Sequence, residues 1–367
     1  MAISNTSIPS MMPKKVMSIL NIGGNDFIKQ VGLETVKQVV HDVLCGENLR
    51  DSTETITRKR ITLANAGLTM MFLEGCKRID SFMSKSPELA VAELRKGRLS
   101  KHEKWILNWI LGLTDKAVQN ILRDDPNNLL EYLKDFKRTL KEAASDCNKD
   151  YGDIIFEIVA KGNKQRLNWE QVLLLFSAVG AQTLTIRGSE KSTYGKLFER
   201  LILGSMLHIL GFKFIVPEKN KSLNKIFWLS QRDEKRESDA TLIYKPGKGV
   251  RFDIGFIGRG NSEISLDKVS RFEKEIEYGR QKHFMATFII VDRIGANSRI
   301  YEMAKKIDGT IVQMSMGYWP KIVAQKLRDV VGLDHPLVNM SDNKVSEYIL
   351  KQLKDAPFES FVAKQTN

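Results

Sequence analysis

Two aspartates fourteen residues apart, Asp239 and Asp253, have the type and spacing to do chemistry together. Asp239 opens the apolar run Ala240-Thr-Leu-Ile-Tyr244, and Asp253 lies inside Val250-Arg-Phe-Asp-Ile-Gly-Phe-Ile-Gly258. Between the runs, Lys245-Pro-Gly-Lys-Gly249 is a five-residue link with the composition of a hairpin turn. Antiparallel strands joined there bring the two acids side by side. A carboxylate in an apolar strand needs compensation, because an unpaired buried charge is heavily penalised. Two of them also repel. A divalent cation resolves both problems, and carboxylate oxygens completed by water and phosphate suit Mg²⁺. The competing reading is two solvated strand ends with no metal between them.

The elements that must position this pair are legible as two halves. Apolar residues recur at helical spacing over 35–44, 61–82, 104–122, 129–144 and 168–179, with Asn168 and Gln171 as a capping pair for the last. This predicts an all-helical domain over residues 1–185. The polar stretch Arg187-Gly-Ser-Glu-Lys-Ser192 then predicts a break before a second domain, 186–367. There a helix over 194–210 precedes strands at 213–216 and 225–229, and the hairpin follows. Further elements are a charged helix over 265–280, strands at 286–291 and 309–314, and helices at 298–307, 321–331 and 344–353. That order predicts a mixed α/β fold, with helices flanking a mixed sheet.

The chain has 367 residues, 57 of them Lys or Arg against 44 Asp or Glu, for a formal charge of +13. The excess is concentrated where the acids are: 26 basic and 22 acidic residues precede residue 186, and 31 and 22 follow. Acids clustered in a basic background suit a metal site presented to phosphates, so nucleic acid is the expected partner. Three cysteines without Cys-x-x-Cys spacing make neither a disulfide framework nor a zinc site. Free thiols suit a reducing cytoplasm. No stretch approaches the roughly 18 uninterrupted apolar residues of a membrane span, so no membrane is expected. Gly258-Arg-Gly260 extends to no dinucleotide fingerprint, and no phosphate-loop motif occurs. ATP-driven and nicotinamide chemistry are therefore unsupported.

The order of elements, with Asp239 and Asp253 on a central hairpin, resembles the restriction-endonuclease-like fold of the PD-(D/E)XK nucleases over about residues 190–317. Gly260-Asn-Ser-Glu-Ile-Ser-Leu-Asp-Lys268 is similar to type II restriction enzymes, and the chain as a whole to the CfrBI-type group. The resemblance implies Mg²⁺ held by Asp239 and Asp253, with Glu199 on the helix before the sheet as a further carboxylate. It also implies a lysine two residues after the second acid, where this chain has Gly255. Some members move the lysine to a neighbouring helix. Lys268 is the candidate here, with Arg271 on the same face, and Lys196 is the runner-up. Glu263 is a further candidate acid, or a charge favouring the start of the next helix. Lys196, Arg259 and Arg271 are the expected DNA contacts.

The function that follows is sequence-specific, Mg²⁺-dependent cleavage of double-stranded DNA at a short palindrome. Two copies of the chain would each cut one strand. Two rivals stand beside it: a repair or defence nuclease of low specificity, and a DNA-binding protein on a degenerate nuclease fold.

Overall fold

A computed structural model describes residues 7–20, 24–122, 128–160, 162–216, 224–230, 238–256, 284–292 and 309–363. Contacts divide the chain into two units. The first comprises residues 1–22 and 56–191, the second residues 23–55 and 192–367. Residues 23–55 thus pack with the sheet, an addition that a boundary at 185/186 does not include.

The first unit is built from helices whose apolar stripes meet. Ser100 caps Lys101–Ile110 through a reciprocal exchange with Glu103, satisfying two amide groups that a helix start otherwise leaves open. Trp105, Trp109 and Ile110 from that helix pack with Leu68 and Phe72 of Leu49–Arg78 and with Leu175 of Trp169–Ile209. The helix expected to reach residue 122 stops instead at Ile110, because Gly112 takes a left-handed backbone, φ +68°. The unit is also not all-helical. Strands β1 (Phe156–Ala160) and β2 (Asn163–Leu167) pair antiparallel around a turn with Gly162 at φ +76°. Only five residues a side with irregular alternation, they carry too little pattern to stand out.

The expected break at 187–192 is absent. One helix runs unbroken from Trp169 to Ile209. Nothing in Arg187-Gly-Ser-Glu-Lys-Ser192 forbids a helix. Gly188 costs only about 1 kcal/mol relative to alanine, less than the packing of the apolar turns on either side supplies.

The second unit holds a six-stranded sheet in sequential order: β3 (Lys213–Phe214), β4 (Ile226–Leu229), β5 (Ala240–Lys245), β6 (Lys248–Gly255), β7 (Phe284–Val291) and β8 (Gly309–Gln313). β4, β5 and β6 are antiparallel, whereas β6, β7 and β8 are parallel. This is the mixed sheet expected. The hairpin link is tighter than the five residues read from the sequence. Lys245 pairs with Lys248 across Pro246-Gly247, with Gly247 at φ +79°. Proline followed by a positive-φ glycine is the pattern of a type II turn, and a register shift between Ile243 and Lys245 absorbs the shortening. Phe288, Ile289, Ile290 and Val291 of β7 are fully buried, as in a strand between two parallel neighbours. The expected helices over 265–280 and 298–307 lie outside the described residues.

Two close approaches close this unit. Phe361, in the C-terminal helix Phe358–Val362, lies against Gly204, where a Cβ would stand 2.7 Å from the ring. Its ring also packs edge-on to Phe214 of β3. Trp319, fully buried, donates its indole N–H to the Val43 carbonyl at 2.8 Å and so ties Leu33–Leu44 to Trp319–Val331. Trp319→Ala is expected to cost about 3–5 kcal/mol through cavity and lost transfer energy. Trp319→Phe loses the indole hydrogen bond but leaves the Val43 carbonyl paired with the Gly46 N–H at 3.1 Å, and costs about 0.5–1.5 kcal/mol. Urea denaturation of both variants checks the ordering.

Candidate active site

The register of the central hairpin brings the two acids together. Ala240 of β5 pairs with Phe252 of β6, so the next position outward sets Asp239 against Asp253. Asp239 bends back onto the neighbouring strand, where its Oδ2 accepts the Ile254 N–H at 2.8 Å. Asp253 is 4% exposed, between the fully buried Phe252 and Ile254 and beside Ile289 of β7. A carboxylate that deep in an apolar sheet requires a counter-charge or strong hydrogen bonds. The solvated-strand-end reading does not describe Asp253.

The backbone around Asp239 is held from the preceding helix. Arg200, near the carboxyl end of Trp169–Ile209, donates through Nη1 to the Ser230 carbonyl at 2.6 Å and through Nε to the Phe361 carbonyl at 2.7 Å. The Ser230 N–H donates to the Asp239 carbonyl at 3.1 Å, its hydroxyl bonds the Ser238 carbonyl, and Ser238 Oγ lies 3.2 Å from Thr241 Oγ1. Arg200, Ser230 and Ser238 thus position the first acid, and sequence reading missed all three. Arg200 had one signal, an arginine on the apolar-rich face next to Glu199; the serines had none.

The parallel strands end in a row of aligned residues. Asp253, Ile289 and Ile311 share one row, and Gly255, Val291 and Gln313 the next. Period-two alternation puts Gly255 on the same face as Asp253, so the expected lysine position is present and carries no side chain. Just past β7, Asp292 accepts from Asn48 Nδ2 at 3.0 Å, and the Ser315 hydroxyl donates to its carbonyl at 2.9 Å. Asn48 comes from the segment 23–55 that joined this unit, and neither residue was anticipated.

Glu199 is partly buried and Lys196 exposed on the helix before the sheet. Among the described residues no three His, Cys, Asp or Glu side chains form a metal-binding group. Lys268, Arg259, Arg271 and Glu263 lie outside the described residues. The donor set that the structure does bring together fits Mg²⁺, which commonly takes one or two carboxylates and leaves its other positions to water and phosphate. Both donors are hard oxygens.

Comparison with known proteins agrees with this geometry. Residues 33–299 match the sequence model of the CfrBI restriction endonuclease family. The chain is 39% identical over 354 residues to the type II restriction enzyme CfrBI of Citrobacter freundii, covering 95% of this chain and 97% of that enzyme. No solved structure matches.

Proposed function

The chain belongs to the CfrBI restriction endonuclease family, and on that premise we propose that it is a type II deoxyribonuclease. It hydrolyses phosphodiester bonds of double-stranded DNA at a specific short palindrome, with Mg²⁺ as cofactor and two copies acting together. The observation that carries the chemistry is the buried Asp253 set opposite Asp239 across the β5–β6 pair. A bound Mg²⁺ supplies a lowered water pKa and charge stabilisation at the phosphate.

The chain's own residues divide the remaining work. Asp239 and Asp253 hold the metal. Arg200 and Ser230 keep the Asp239 backbone in place, so the pair needs no rearrangement when DNA arrives. With Gly255 bare, a cation from elsewhere must face the developing phosphate charge; Lys268 takes that role, with Lys196 as runner-up. Glu199 and Glu263 are auxiliary acids. Arg259, Arg271 and Lys196 contact the DNA, part of the basic excess of the second half. The helical unit provides surface for reading bases or for dimerisation, and the enzyme works in the cytoplasm.

Gly255 also favours one rival, a DNA-binding protein that has lost catalysis. Plasmid incubated with purified protein separates the readings. Discrete fragments in Mg²⁺ and none in EDTA are expected. A smear indicates cleavage without specificity, and retarded mobility without cutting indicates the binding protein.

A further inference from the structure

Away from the paired aspartates, one cluster gathers a thiol, an imidazole and a hydroxyl. His41 and Cys45 stand four residues apart at the end of Leu33–Leu44, where the Cys45 N–H still bonds the His41 carbonyl at 2.9 Å. Their side chains therefore share one face. Ser346 of the helix Asp342–Gln352 meets them there. Cys45 Sγ is 3.5 Å from His41 Nε2, that nitrogen is 3.2 Å from Ser346 Oγ, and Sγ is 3.8 Å from the same Oγ. The Ser346 carbonyl also lies 3.3 Å from Nε2. Zinc bonds of about 2.3 Å to sulfur and 2.0–2.1 Å to nitrogen or oxygen set tetrahedral ligand atoms about 3.4–3.6 Å apart. The triangle of Sγ, Nε2 and Oγ is close to one face of such a tetrahedron.

Hydrogen bonding within the protein leaves the cluster incomplete. His41 Nδ1 is buried and has no hydrogen-bond partner among the described residues, while Asp42 Oδ1 stands 3.6 Å from it. Gln38 Nε2 donates to that Oδ1 at 2.7 Å and so orients the carboxylate. An imidazole that ligates a metal through Nε2 carries its proton on Nδ1, and a carboxylate is a usual partner for it.

We propose that Cys45, His41 and Ser346 form a second cation site, for Zn²⁺ or a divalent ion of similar softness, with water completing the coordination. The donor types select that class, since thiolate and imidazole suit zinc whereas Mg²⁺ prefers oxygen alone. The charges agree. Burial holds the Cys45 thiol above its usual pKa, and Asp42 and Glu47 push it further up. Carboxylates that disfavour a bare thiolate favour a cation beside it, and the ion replaces the thiol proton. Among the described residues no third His, Cys, Asp or Glu completes the set, so the site is open and exchangeable rather than a closed structural one. The ion ties Leu33–Leu44 to Asp342–Gln352, next to the Trp319–Val43 junction.

Co²⁺ titrated into the metal-free full chain tests the proposal, because a cobalt–thiolate bond gives a near-ultraviolet charge-transfer band that oxygen ligands do not. Wild-type protein is expected to show the band, and added Zn²⁺ to remove it by displacement. Cys45→Ser should lose it. Asp42→Asn should weaken Co²⁺ binding about ten- to a hundredfold, and His41→Gln by at least as much. Cys76→Ser and Asp253→Asn should keep the band, which separates this site from the paired aspartates. Far-UV circular dichroism checks that each variant is folded, and Asp42→Asn, which leaves every ligand in place, decides the matter if Cys45→Ser does not fold. A wild type without the band, a band that survives Cys45→Ser, or one indifferent to both His41→Gln and Asp42→Asn overturns the site.

Discussion

Asp253→Asn is expected to abolish cleavage, by on the order of a thousandfold or more, while DNA binding is kept or tightened. Asparagine has nearly the shape of aspartate, so the packing between Phe252 and Ile254 is undisturbed. What is lost is the negative charge proposed to hold the metal, and loss of one preorganised electrostatic contact alone costs about a hundred- to a thousandfold. Without divalent metal, binding cannot suffer electrostatically, because a negative charge near phosphate has been removed. Asp239→Asn should behave alike. Its amide oxygen can still accept the Ile254 N–H, so the strand ends stay together while the charge is gone. Single-turnover cleavage and gel retardation on the same DNA check both halves. A variant that cuts at the wild-type rate removes that acid from the site.

Lys268→Ala is expected to slow cleavage about a hundred- to a thousandfold, with DNA and metal binding retained. The reasoning starts from Gly255. It occupies the last position of β6, pairs with Val291 and shares the Asp253 face, yet has no side chain to offer. An active nuclease must then bring a cation from elsewhere. Lys268 follows that strand by thirteen residues, across a stretch with glycines at 258 and 260. Lys196, exposed on the preceding helix, should give a milder loss. The reverse ranking in single-turnover rates would assign the cation to the helix before the sheet.

What could be read from the sequence was what local chemistry dictates. The hairpin was legible because its apolar runs and Pro-Gly turn are short-range signals, and the acids stood out because charge in an apolar run is rare. The turn was read too long, since a register shift at Ile243 is a matter of pairing and leaves no mark in composition. The continuous helix from 169 to 209 was cut in two because polar residues and a glycine look like a linker unless their neighbours are known to pack. Least legible was the company the pair keeps. Arg200 is joined to Ser230, and Asn48 to Asp292, by hydrogen bonds between distant segments, and no spacing rule encodes those. The same holds for residues 23–55, which join the sheet unit through Trp319 and Val43 across 276 positions.

The most direct test of the paired aspartates is a count of bound metal. Mn²⁺ prefers the same hard oxygen ligands as Mg²⁺ and is visible by electron paramagnetic resonance. Titrated into the wild-type complex with its DNA site, it is predicted to occupy at least one tight position per chain. The Asp239→Asn and Asp253→Asn complexes should lose that position while remaining folded and bound. If both variants hold Mn²⁺ as tightly as wild type, the carboxylates do not carry the metal and the account of this site is wrong.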